Sequence, residues 1–436
     1  MLWIYRLLFV PVLLALSPRY ISRMRRRGGY GENFGQRFGS HPRLARKKPG
    51  ARRVWLQAVS VGEMLAIGPL LSKFQLEGIE VYLTTTTSTG YRVANDRYRG
   101  LSIGIGYFPI DWWPFSNRAW NRIRPDLVII TEGERWPEHI RQANKRHVPI
   151  VCINARISDR SFSSLKRFPS VAHLMFRGMT RLLPCSARDE ELFRQLGVPA
   201  DKLTTTGNLK LDLTIPRLSP AELEQLRREL GFGPGLVLLG SSTWPGEEEA
   251  LLDALRSVQD IGLRCSLLIV PRHAERRLEI ERLLKRGGLR FHFRSHGPAA
   301  GEVDVAVADT TGELRRLAQI ADIVFVGKSL PPHTEGQTPV EAAALEKPIL
   351  FGPGMSNFRL ISEELVARGA ARRVADPREL AVQMAKLSHD KSQRDALATA
   401  AAAWHRQNAG AADRTWRVIR SELAHAPAPA AAAKHA

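Results

Sequence analysis

The chain has 436 residues, 44% of them hydrophobic and 25% charged, and its formal net charge at pH 7 is +21. This balance excludes disorder of the chain as a whole, and the length predicts two domains of roughly 200 residues each. Three cysteines, Cys152, Cys185 and Cys265, show no CxxC spacing, so neither a zinc site nor a disulfide framework is predicted. A reducing compartment fits this usage.

The N-terminal segment is apolar at first and then strongly basic. An apolar run extends from Leu7 to Leu16, and residues 1–53 contain thirteen Lys and Arg residues but a single acid, Glu32. We predict that residues 1–30 lie in the plane of an anionic membrane surface, with aromatic side chains at the interface and basic ones on the headgroups. Two other interpretations stay open: a signal peptide or membrane span, for which the run is short, and an ordinary core helix.

Short β-branched runs alternate with helical patterns along the rest of the chain. In the first half the runs are 54–60, 80–86, 127–131, 149–154, 181–185 and 203–207, and in the second half they are 236–240, 266–270, 303–307, 323–327 and 348–351. This alternation predicts an α/β fold with one parallel sheet per half. We place the first domain at 31–210, the second at 211–424 and a disordered tail at 425–436. Because ligands of such sheets bind at the strands' carboxyl ends, the cleft between two such domains is the default site.

The first-half loops carry carboxylates whose role the spacing leaves open. Glu132 and Glu134 follow the predicted strand 127–131. They could orient the hydroxyls of a sugar, or they could form ion pairs, such as one between Glu134 and a nearby arginine.

The second-half loops contain groups suited to phosphate. Ser242 and Thr243 lie in a hydroxyl-rich turn that either binds phosphate or caps a helix. Arg272 suits a phosphate or carboxylate, although a surface salt bridge is the commoner fate of one arginine. Lys328 lies in a loop that leads to a helix start, where Glu341 could bind ribose hydroxyls or simply favour the helix dipole. A loop, a helix start and an acid in this order indicate a nucleotide-sugar site.

Many short segments occur in a distinctive order along the chain. They are 27–39 (RGGYGENFGQRFG), 55–63 (WLQAVSVGE), 84–90 (TTTTSTG), 132–137 (EGERWP), 154–158 (NARIS), 207–210 (GNLK), 271–273 (PRH), 312–314 (GEL), 321–322 (AD), 325–327 (FVG) and 351–353 (FGP). Together these segments resemble the Kdo (3-deoxy-D-manno-octulosonic acid) transferases of lipopolysaccharide synthesis. The resemblance extends from the N-terminus to about residue 420.

The resemblance implies a GT-B fold, that is, two Rossmann-like domains with parallel sheets facing an inter-domain cleft. It implies an inverting transferase, anchored by its N-terminus at the cytoplasmic face of the inner membrane. Such an enzyme moves Kdo from CMP-Kdo to a lipid A precursor and releases CMP, with no metal or other cofactor. The implied base is Glu32, and Glu132, Glu134 and Arg135 fall on the acceptor side. The implied donor contacts are Ser242, Thr243, Arg272, Ser329, Thr338 and Glu341.

The chain departs from the family pattern mainly in the second half. It has Gln57, Trp244, Gln337 and Gly354 where the family usually has His, Thr338 where Asn is usual, and Gly-Lys-Ser at 327–329 where Gly-Gly-Ser is usual. We expect Lys328 to hold a phosphate or the donor's carboxylate.

Three alternatives to a Kdo transferase stay open. The first is a GT-B transferase that uses another nucleotide sugar on a lipid acceptor, and the second is an inactive, binding-only relative. The third is a basic nucleic-acid-binding protein, but no RNP-like or zinc motif supports it, so no nucleic acid partner is expected.

Overall fold

Two parallel sheets organise the chain, one in each of two units. The computed structural model describes residues 1–26, 33–48 and 50–425. Unit 1 comprises Met1–Asp212 together with the chain from Gly410 onward, and unit 2 comprises Leu213–Ala409. In both units helices separate successive strands, as the alternation of apolar runs and helical patterns predicts.

Unit 1 is built on a six-stranded sheet of order β3-β2-β1-β4-β5-β6. Its strands are β1 Arg53–Gln57, β2 Glu80–Thr85, β3 Gly104–Tyr107, β4 Leu127–Thr131, β5 Ile150–Ala155 and β6 Arg181–Pro184. The central strands β1 and β4 are buried along their whole length, because helices cover both faces of the sheet. The strand order reverses between β1 and β4, and the carboxyl ends of these two strands therefore form the topological switch point.

Four helices of unit 1 begin at a residue whose side chain caps the helix. Side-chain oxygens of Ser60, Thr87, Ser158 and Ser186 accept an N–H from the first turn of the helix that follows each of them. The helices are α1 Leu2–Arg26, α2 Val61–Ala66, α3 Gly68–Leu76, α4 Ser88–Tyr98, α5 Trp113–Ile123, α6 Pro137–Lys145, α7 Asp159–Arg167, α8 Pro169–Phe176, α9 Ala187–Gln195 and α18 Ala411–His425.

Unit 2 is built on a seven-stranded sheet of order β13-β12-β11-β7-β8-β10-β9. Its strands are β7 Leu236–Thr243, β8 Cys265–Pro271, β9 Phe291–Phe293, β10 Val305–Val307, β11 Ile323–Val326, β12 Ile349–Phe351 and β13 Ala371–Arg373. Its helices are α10 Pro220–Glu229, α11 Glu247–Asp260, α12 Arg277–Arg286, α13 Leu314–Leu317, α14 Val340–Ala344, α15 Arg359–Ala367, α16 Pro377–His389 and α17 Lys391–Asn408. A capping box between Ser219 and Glu222 starts α10.

The predicted strands differ from the observed ones mainly at the sheet edges. The predicted strand 203–207 is wrong, because this segment makes only a single bridge, between Leu203 and Leu182. The edge strands β3, β9 and β13 were not predicted. They are three or four residues long and are not buried along their whole length, so they lack the apolar run by which a central strand is recognised.

Helix α18 returns to unit 1. The Asp212 carboxylate accepts the N–H groups of Gly410 (2.8 Å) and Ala412 (2.5 Å), and Trp416 packs edge-on against Phe74 with ring centroids 5.1 Å apart. Unit 2 therefore ends at Ala409, whereas the sequence placed the end of the second domain at 424. His425 ends α18, and the rest of the predicted tail lies outside the described residues.

Helix α1 is attached to unit 1 through buried carboxylates. The Tyr5 hydroxyl donates to Asp111 (2.6 Å), and the Arg6 guanidinium donates to both oxygens of Glu138 (2.9 and 3.0 Å). Arg6, which interrupts the apolar pattern in the sequence, is thus paired with a carboxylate of the unit. In the described parts of the chain, no helix combines the length and apolar character that crossing a membrane requires.

Candidate active site

A buried carboxylate joins the carboxyl ends of β1 and β4 at the switch point of unit 1. Glu63, in the first turn of α2, accepts hydrogen bonds from the Val59 N–H and the Ser60 hydroxyl, both at 3.0 Å. It accepts a third from the Thr131 hydroxyl at the end of β4. Both oxygens of Glu63 are therefore used by the fold, and the loop after β1 has a fixed path.

Glu134 is the titratable group at this edge of the sheet. Its carboxylate is half-buried and accepts the Trp136 indole N–H at 2.5 Å. Burial raises the pKa of Glu134 to about 7, and the charge of Glu63 adds to the shift, whereas the Trp136, Gln57 and Arg37 side chains oppose it. A carboxyl group with this pKa gains and loses a proton near neutral pH, which is the property required of a general acid or base.

Gln57 ends β1 and is completely buried, at 0% exposure. Its side chain favours the charged form of Glu134, yet neither amide atom has a hydrogen-bond partner of good geometry among the described residues. Leaving a buried polar group unpaired costs about 1–3 kcal/mol, and such groups are rare. An unpaired amide at the carboxyl end of a central strand is therefore a candidate ligand contact.

Glu132 forms an ion pair, one of the two roles that the sequence left open. Its carboxylate pairs with the Lys210 ammonium and accepts the Asn154 amide N–H at 3.2 Å. The Asn154 amide oxygen accepts the Leu209 N–H at 2.9 Å. Glu132 and Asn154 both have left-handed backbones, with φ of 50° and 51°. Strained backbones of this kind cluster at functional sites, and here they fix the ends of β4 and β5 against the segment that carries Lys210.

Arg135 packs inside unit 1. Its guanidinium lies over the rings of Phe176 (5.1 Å) and Phe193 (5.3 Å) and donates to the Arg156 carbonyl at 2.6 Å. Burial lowers its pKa. The charged group of Arg135 is therefore held by aromatic rings and a backbone carbonyl of its own unit, and its acceptor-side role stays a prediction.

Glu32, the predicted base, lies outside the described residues, but the chain after it has a defined position. A 3₁₀ helix follows at Phe34–Phe38. Within it, Gln36 accepts the Tyr107 N–H at 2.8 Å, and the Arg37 guanidinium donates to the Phe108 carbonyl. These bonds attach the segment just after Glu32 to the carboxyl end of β3.

A second buried carboxylate organises the strand ends of unit 2. Glu247, at the start of α11, accepts four backbone N–H groups, those of Lys328 (2.7 Å), Ser329 (2.8 Å), Trp244 (2.9 Å) and Leu330 (3.1 Å). Burial raises its pKa, and the four donors oppose that shift. The N–H groups of the loop after β11 are thus already used by Glu247.

Two predicted donor contacts turn out to support the fold. The Thr243 hydroxyl is fully buried and donates to Glu248 at 2.7 Å. The Ser329 hydroxyl is also fully buried; it donates to the Val326 carbonyl (2.6 Å) and accepts the Gly352 N–H (2.8 Å). The structure therefore shows a supporting role for both hydroxyls within unit 2, and their assignment as donor contacts stays a prediction.

Ser242 and Arg272 remain accessible at the same edge. Ser242 has a left-handed backbone (φ 56°) at the end of β7 and is half-exposed, and Arg272 is exposed after β8. Neither side chain hydrogen-bonds to another described residue. The Arg272 N–H donates to the Thr243 carbonyl at 3.1 Å, which fixes the backbone beneath this guanidinium.

Lys328 stands over an aromatic cluster. Its ammonium lies 4.3 Å from the centre of the Trp244 ring and 3.2 Å from Glu335. The Trp244 ring also contacts those of His273 and His333, with centroids 5.1 and 5.7 Å apart. Trp244 and Lys328, both of which depart from the usual family pattern of His and Gly, are therefore in contact with each other.

Glu341 offers an unused oxygen at the start of α14. One oxygen lies 3.5 Å from the Arg315 guanidinium, and the other is buried without a hydrogen-bond partner in the described chain. Thr338 is half-exposed, and its hydroxyl accepts the N–H of Val340, the first residue of α14, at 3.2 Å. Glu341 thus keeps the acceptor capacity that a ribose hydroxyl requires.

Comparison with known proteins identifies the family. The family model for 3-deoxy-D-manno-octulosonic-acid transferase (kdotransferase) matches residues 32–213. A Bordetella pertussis 3-deoxy-D-manno-octulosonic acid transferase is 32% identical over 414 residues, which cover 92% of this chain and 94% of that one. The chain belongs to the Kdo transferase family. The Haemophilus influenzae enzyme of the same name is 31% identical over 424 residues, covering 96% of this chain and 95% of that one.

Membership of the Kdo transferase family makes the protein a glycosyltransferase, as the resemblance implied. The structure of UDP-GlcNAc 2-epimerase from Neisseria meningitidis matches with a TM-score of 0.54 and 15% identity, over 85% of this chain and 99% of that one. This likeness concerns the fold alone, and it confirms the predicted GT-B class.

Four site residues of this Kdo transferase were missed as ligand contacts or supports: Gln57, Glu63, Glu247 and Arg315. A signal existed for Glu63, since Ser60 and Glu63 have the spacing of a capping box. No local pattern distinguishes Glu247 from the two acids that follow it. In the described residues no three His, Cys, Asp or Glu side chains group in a way that could hold a metal ion.

Proposed function

We propose that this Kdo transferase moves Kdo from CMP-Kdo to a lipid A precursor, with inversion at the anomeric carbon and release of CMP. The observation that carries the proposal is that relatives named 3-deoxy-D-manno-octulosonic acid transferase align with 92% and 96% of this chain, and therefore with both units. Unit 1 supplies the acceptor side and unit 2 the donor side.

On the acceptor side, Glu32 takes the proton from the attacking sugar hydroxyl. The hydroxyl oxygen forms the new bond to the anomeric carbon, while the bond between that carbon and the CMP phosphate breaks. Glu134 and Gln57 support this step: the first titrates near neutral pH, and the second holds an unpaired amide at the same sheet edge. Such groups can bind and orient sugar hydroxyls beside the base.

On the donor side, Arg272 and Lys328 stabilise the negative charge that the departing phosphate gains. Ser242 contributes a hydroxyl, and the free oxygen of Glu341 accepts from the ribose. Thr338 fixes the helix start beside Glu341. The loop N–H groups held by Glu247 are left out of phosphate binding, and no metal is part of the proposal.

Helix α1 serves as the membrane anchor at the cytoplasmic face of the inner membrane. Tyr5 and Arg6 hold it to unit 1. Its large apolar side chains are more than half exposed to solvent: Met1, Trp3, Ile4, Leu7, Leu8, Val12 and Leu14. A helix with such a face lies in the interfacial layer, and its basic neighbours in sequence favour anionic lipids.

The deciding experiment incubates the purified protein with CMP-Kdo and a lipid A precursor and determines the mass of the product. We expect one or more Kdo additions to the lipid. A donor panel in parallel tests the alternatives: transfer from a UDP-sugar instead would replace CMP-Kdo as the donor. Donor binding without any product would identify a binding-only relative.

The role of Glu32 is tested by Glu32→Gln, which should abolish turnover without affecting folding. The matched control is Asp96→Asn, an exposed acid on α4 with no side-chain partner in the described chain. Substantial residual turnover in Glu32→Gln would remove Glu32 from the base role.

A further inference from the structure

A cavity of about 660 Å³ in unit 1 is lined by arginines. Arg118 and Arg122 come from α5, Arg124 directly follows it, and Arg43 comes from the segment after the 3₁₀ helix. Trp113, a proline and two asparagines also line the cavity, and no carboxylate is found among the described lining residues. A cavity of this size can hold a small ligand or the head of a larger one.

The four guanidiniums lack carboxylate partners in the described chain. Arg122 donates to the His41 carbonyl at 3.1 Å, and Arg124 lies 3.5 Å from the Leu44 carbonyl, so both are held by backbone oxygens only. Elsewhere in this chain, exposed arginines form ion pairs with nearby carboxylates. Four unneutralised charges around one cavity repel one another and therefore favour an anionic ligand.

The two asparagines add further donors. Their side-chain oxygens accept hydrogen bonds from the Arg146 guanidinium, Asn117 at 2.9 Å and Asn121 at 2.8 Å. Each of these oxygens therefore already has a donor, whereas each NH₂ group has no hydrogen-bond partner in the described chain. The side chains around the cavity therefore present donors and positive charge, which matches the oxygens of a phosphate group.

The cavity is built into the fold by close packing. Gly39 follows the 3₁₀ helix with φ of 78°, and a Cβ at this position would collide with the Phe115 carbonyl and lie 3.1 Å from the Arg118 Cβ. The chain can approach α5 this closely only as glycine. The same approach brings Arg43 to the cavity, so the segment that leads away from Glu32 also supplies part of the lining.

Exposed aromatic side chains occur on α5, which lines the cavity, and on the 3₁₀ helix that packs against α5. Trp113 is 49% exposed, and on the 3₁₀ helix Phe34 and Phe38 are 43% and 37% exposed. Phe38 packs edge-on against Phe115 of α5 at 5.2 Å. Exposed aromatics beside basic side chains are typical of surfaces that sit at a membrane interface.

We propose that this arginine cavity binds the phosphomonoester headgroup of a lipid. A phosphomonoester carries up to two charges and three free oxygens, so it can use several guanidinium forks at once, whereas a phosphodiester offers one charge and two free oxygens. The proposal deepens the proposed function, and it rests on that function only for the identity of the lipid, which would be the acceptor or a neighbour of it.

The test measures binding of the full chain to phosphatidylcholine vesicles that contain phosphatidic acid, a phosphomonoester, or an equal fraction of phosphatidylglycerol, a phosphodiester. We expect tighter binding to the phosphatidic acid vesicles. Arg118→Gln/Arg122→Gln should weaken that binding by about tenfold or more and remove the preference. The control Arg160→Gln/Arg167→Gln removes the same charge from exposed positions on α7 and should keep the preference.

Several outcomes would overturn the proposal. One is that the Arg118/Arg122 variant keeps the preference for phosphatidic acid vesicles. Another is that this variant and the control lose the same amount of binding to both vesicle types, which would indicate a general electrostatic effect. If inorganic phosphate displaces the protein at concentrations equal to the lipid, the ligand is a free phosphate and the lipid assignment is wrong.

Two features keep the test decisive. Arg118→Lys retains the charge but not the bidentate fork, so it should lose part of the preference even if the double variant does not fold. Vesicle binding requires neither donor nor transfer, so failure of the proposed activity and failure of this site give different results.

Discussion

Substitution of Glu247 tests how unit 2 stabilises the loops that follow strands β7 and β11. Replacing it by alanine removes the acceptor of four backbone N–H groups at 2.7 to 3.1 Å. The N–H groups of Trp244 and Lys328 belong to half-exposed residues and can hydrogen-bond to water instead. Those of Ser329 and Leu330 belong to buried residues and would lose their only acceptor. Since a hydrogen bond to a charged acceptor contributes about 1.5–3 kcal/mol, we expect Glu247→Ala to cost roughly 3–6 kcal/mol.

Glutamine should be intermediate. Glu247→Gln keeps one oxygen, which satisfies two of the four donors, and it turns an NH₂ group toward the other two. The expected cost is about half that of alanine, roughly 1.5–3 kcal/mol. Because the loop carries Lys328, both variants should also weaken CMP binding.

Thermal unfolding followed by calorimetry measures the effect. For a unit of this size about 1 kcal/mol corresponds to roughly 2–4 °C, so the unit 2 transition of Glu247→Ala should fall by about 10 °C. Glu249→Ala is the control, since Glu249 lies in the same helix turn, is exposed and has no described partner. If both alanine variants shift the transition equally, the four hydrogen bonds do not stabilise the loop and the reasoning is refuted.

Three further predictions concern unit 1. The pKa of Glu134 is about 7 in the folded protein, above that of an ordinary glutamate, so its contribution to stability is complete below about pH 4.5 and is lost as pH rises through 7. In the Glu134→Gln variant, the free energy of unfolding in urea should fall less over this pH range. An equal fall in the variant and the wild type would contradict this prediction. Gln57→Leu should change the free energy of unfolding by less than about 1 kcal/mol yet raise the KM for the acceptor, whereas a large loss of stability would show that the amide serves the fold. Arg6→Met leaves the buried Glu138 carboxylate without its bidentate partner and should lower the free energy of unfolding in urea by about 3 kcal/mol. Adding Glu138→Gln to this variant should restore most of that loss. If the losses of the two single variants simply add in the double variant, the pairing is refuted.

The central strands could be predicted because burial on both faces requires a continuous apolar run, as in the Leu236–Leu239 part of β7. The edge strands could not, because β13, with its two arginines, has no such requirement. Helix α18 also escaped assignment to unit 1, since its apolar positions specify burial but not the partner, and the Asp212 contacts that attach it join residues about 200 positions apart.

The candidate site shows the same division. The sequence predicts which loops follow the strands of each sheet, and in a parallel sheet these loops lie together at one edge, where ligands bind. The orientation of each side chain was not predictable: Ser242 remains accessible, while Thr243, the next residue, is fully buried and bonded to Glu248. Arg135 and Glu134 are also adjacent, yet Arg135 packs against two phenylalanines and Glu134 titrates at the sheet edge.

The return of α18 has a consequence for the order of synthesis. Trp416, Ile419 and Leu423 belong to the same core as strand β1, yet they are translated only after the whole of unit 2. Unit 2 is complete in the nascent chain before they emerge. Unit 1, whose strands are all translated before unit 2, therefore cannot finish folding until unit 2 has been made, and until then part of its core presents an apolar surface to the chaperones of the cell.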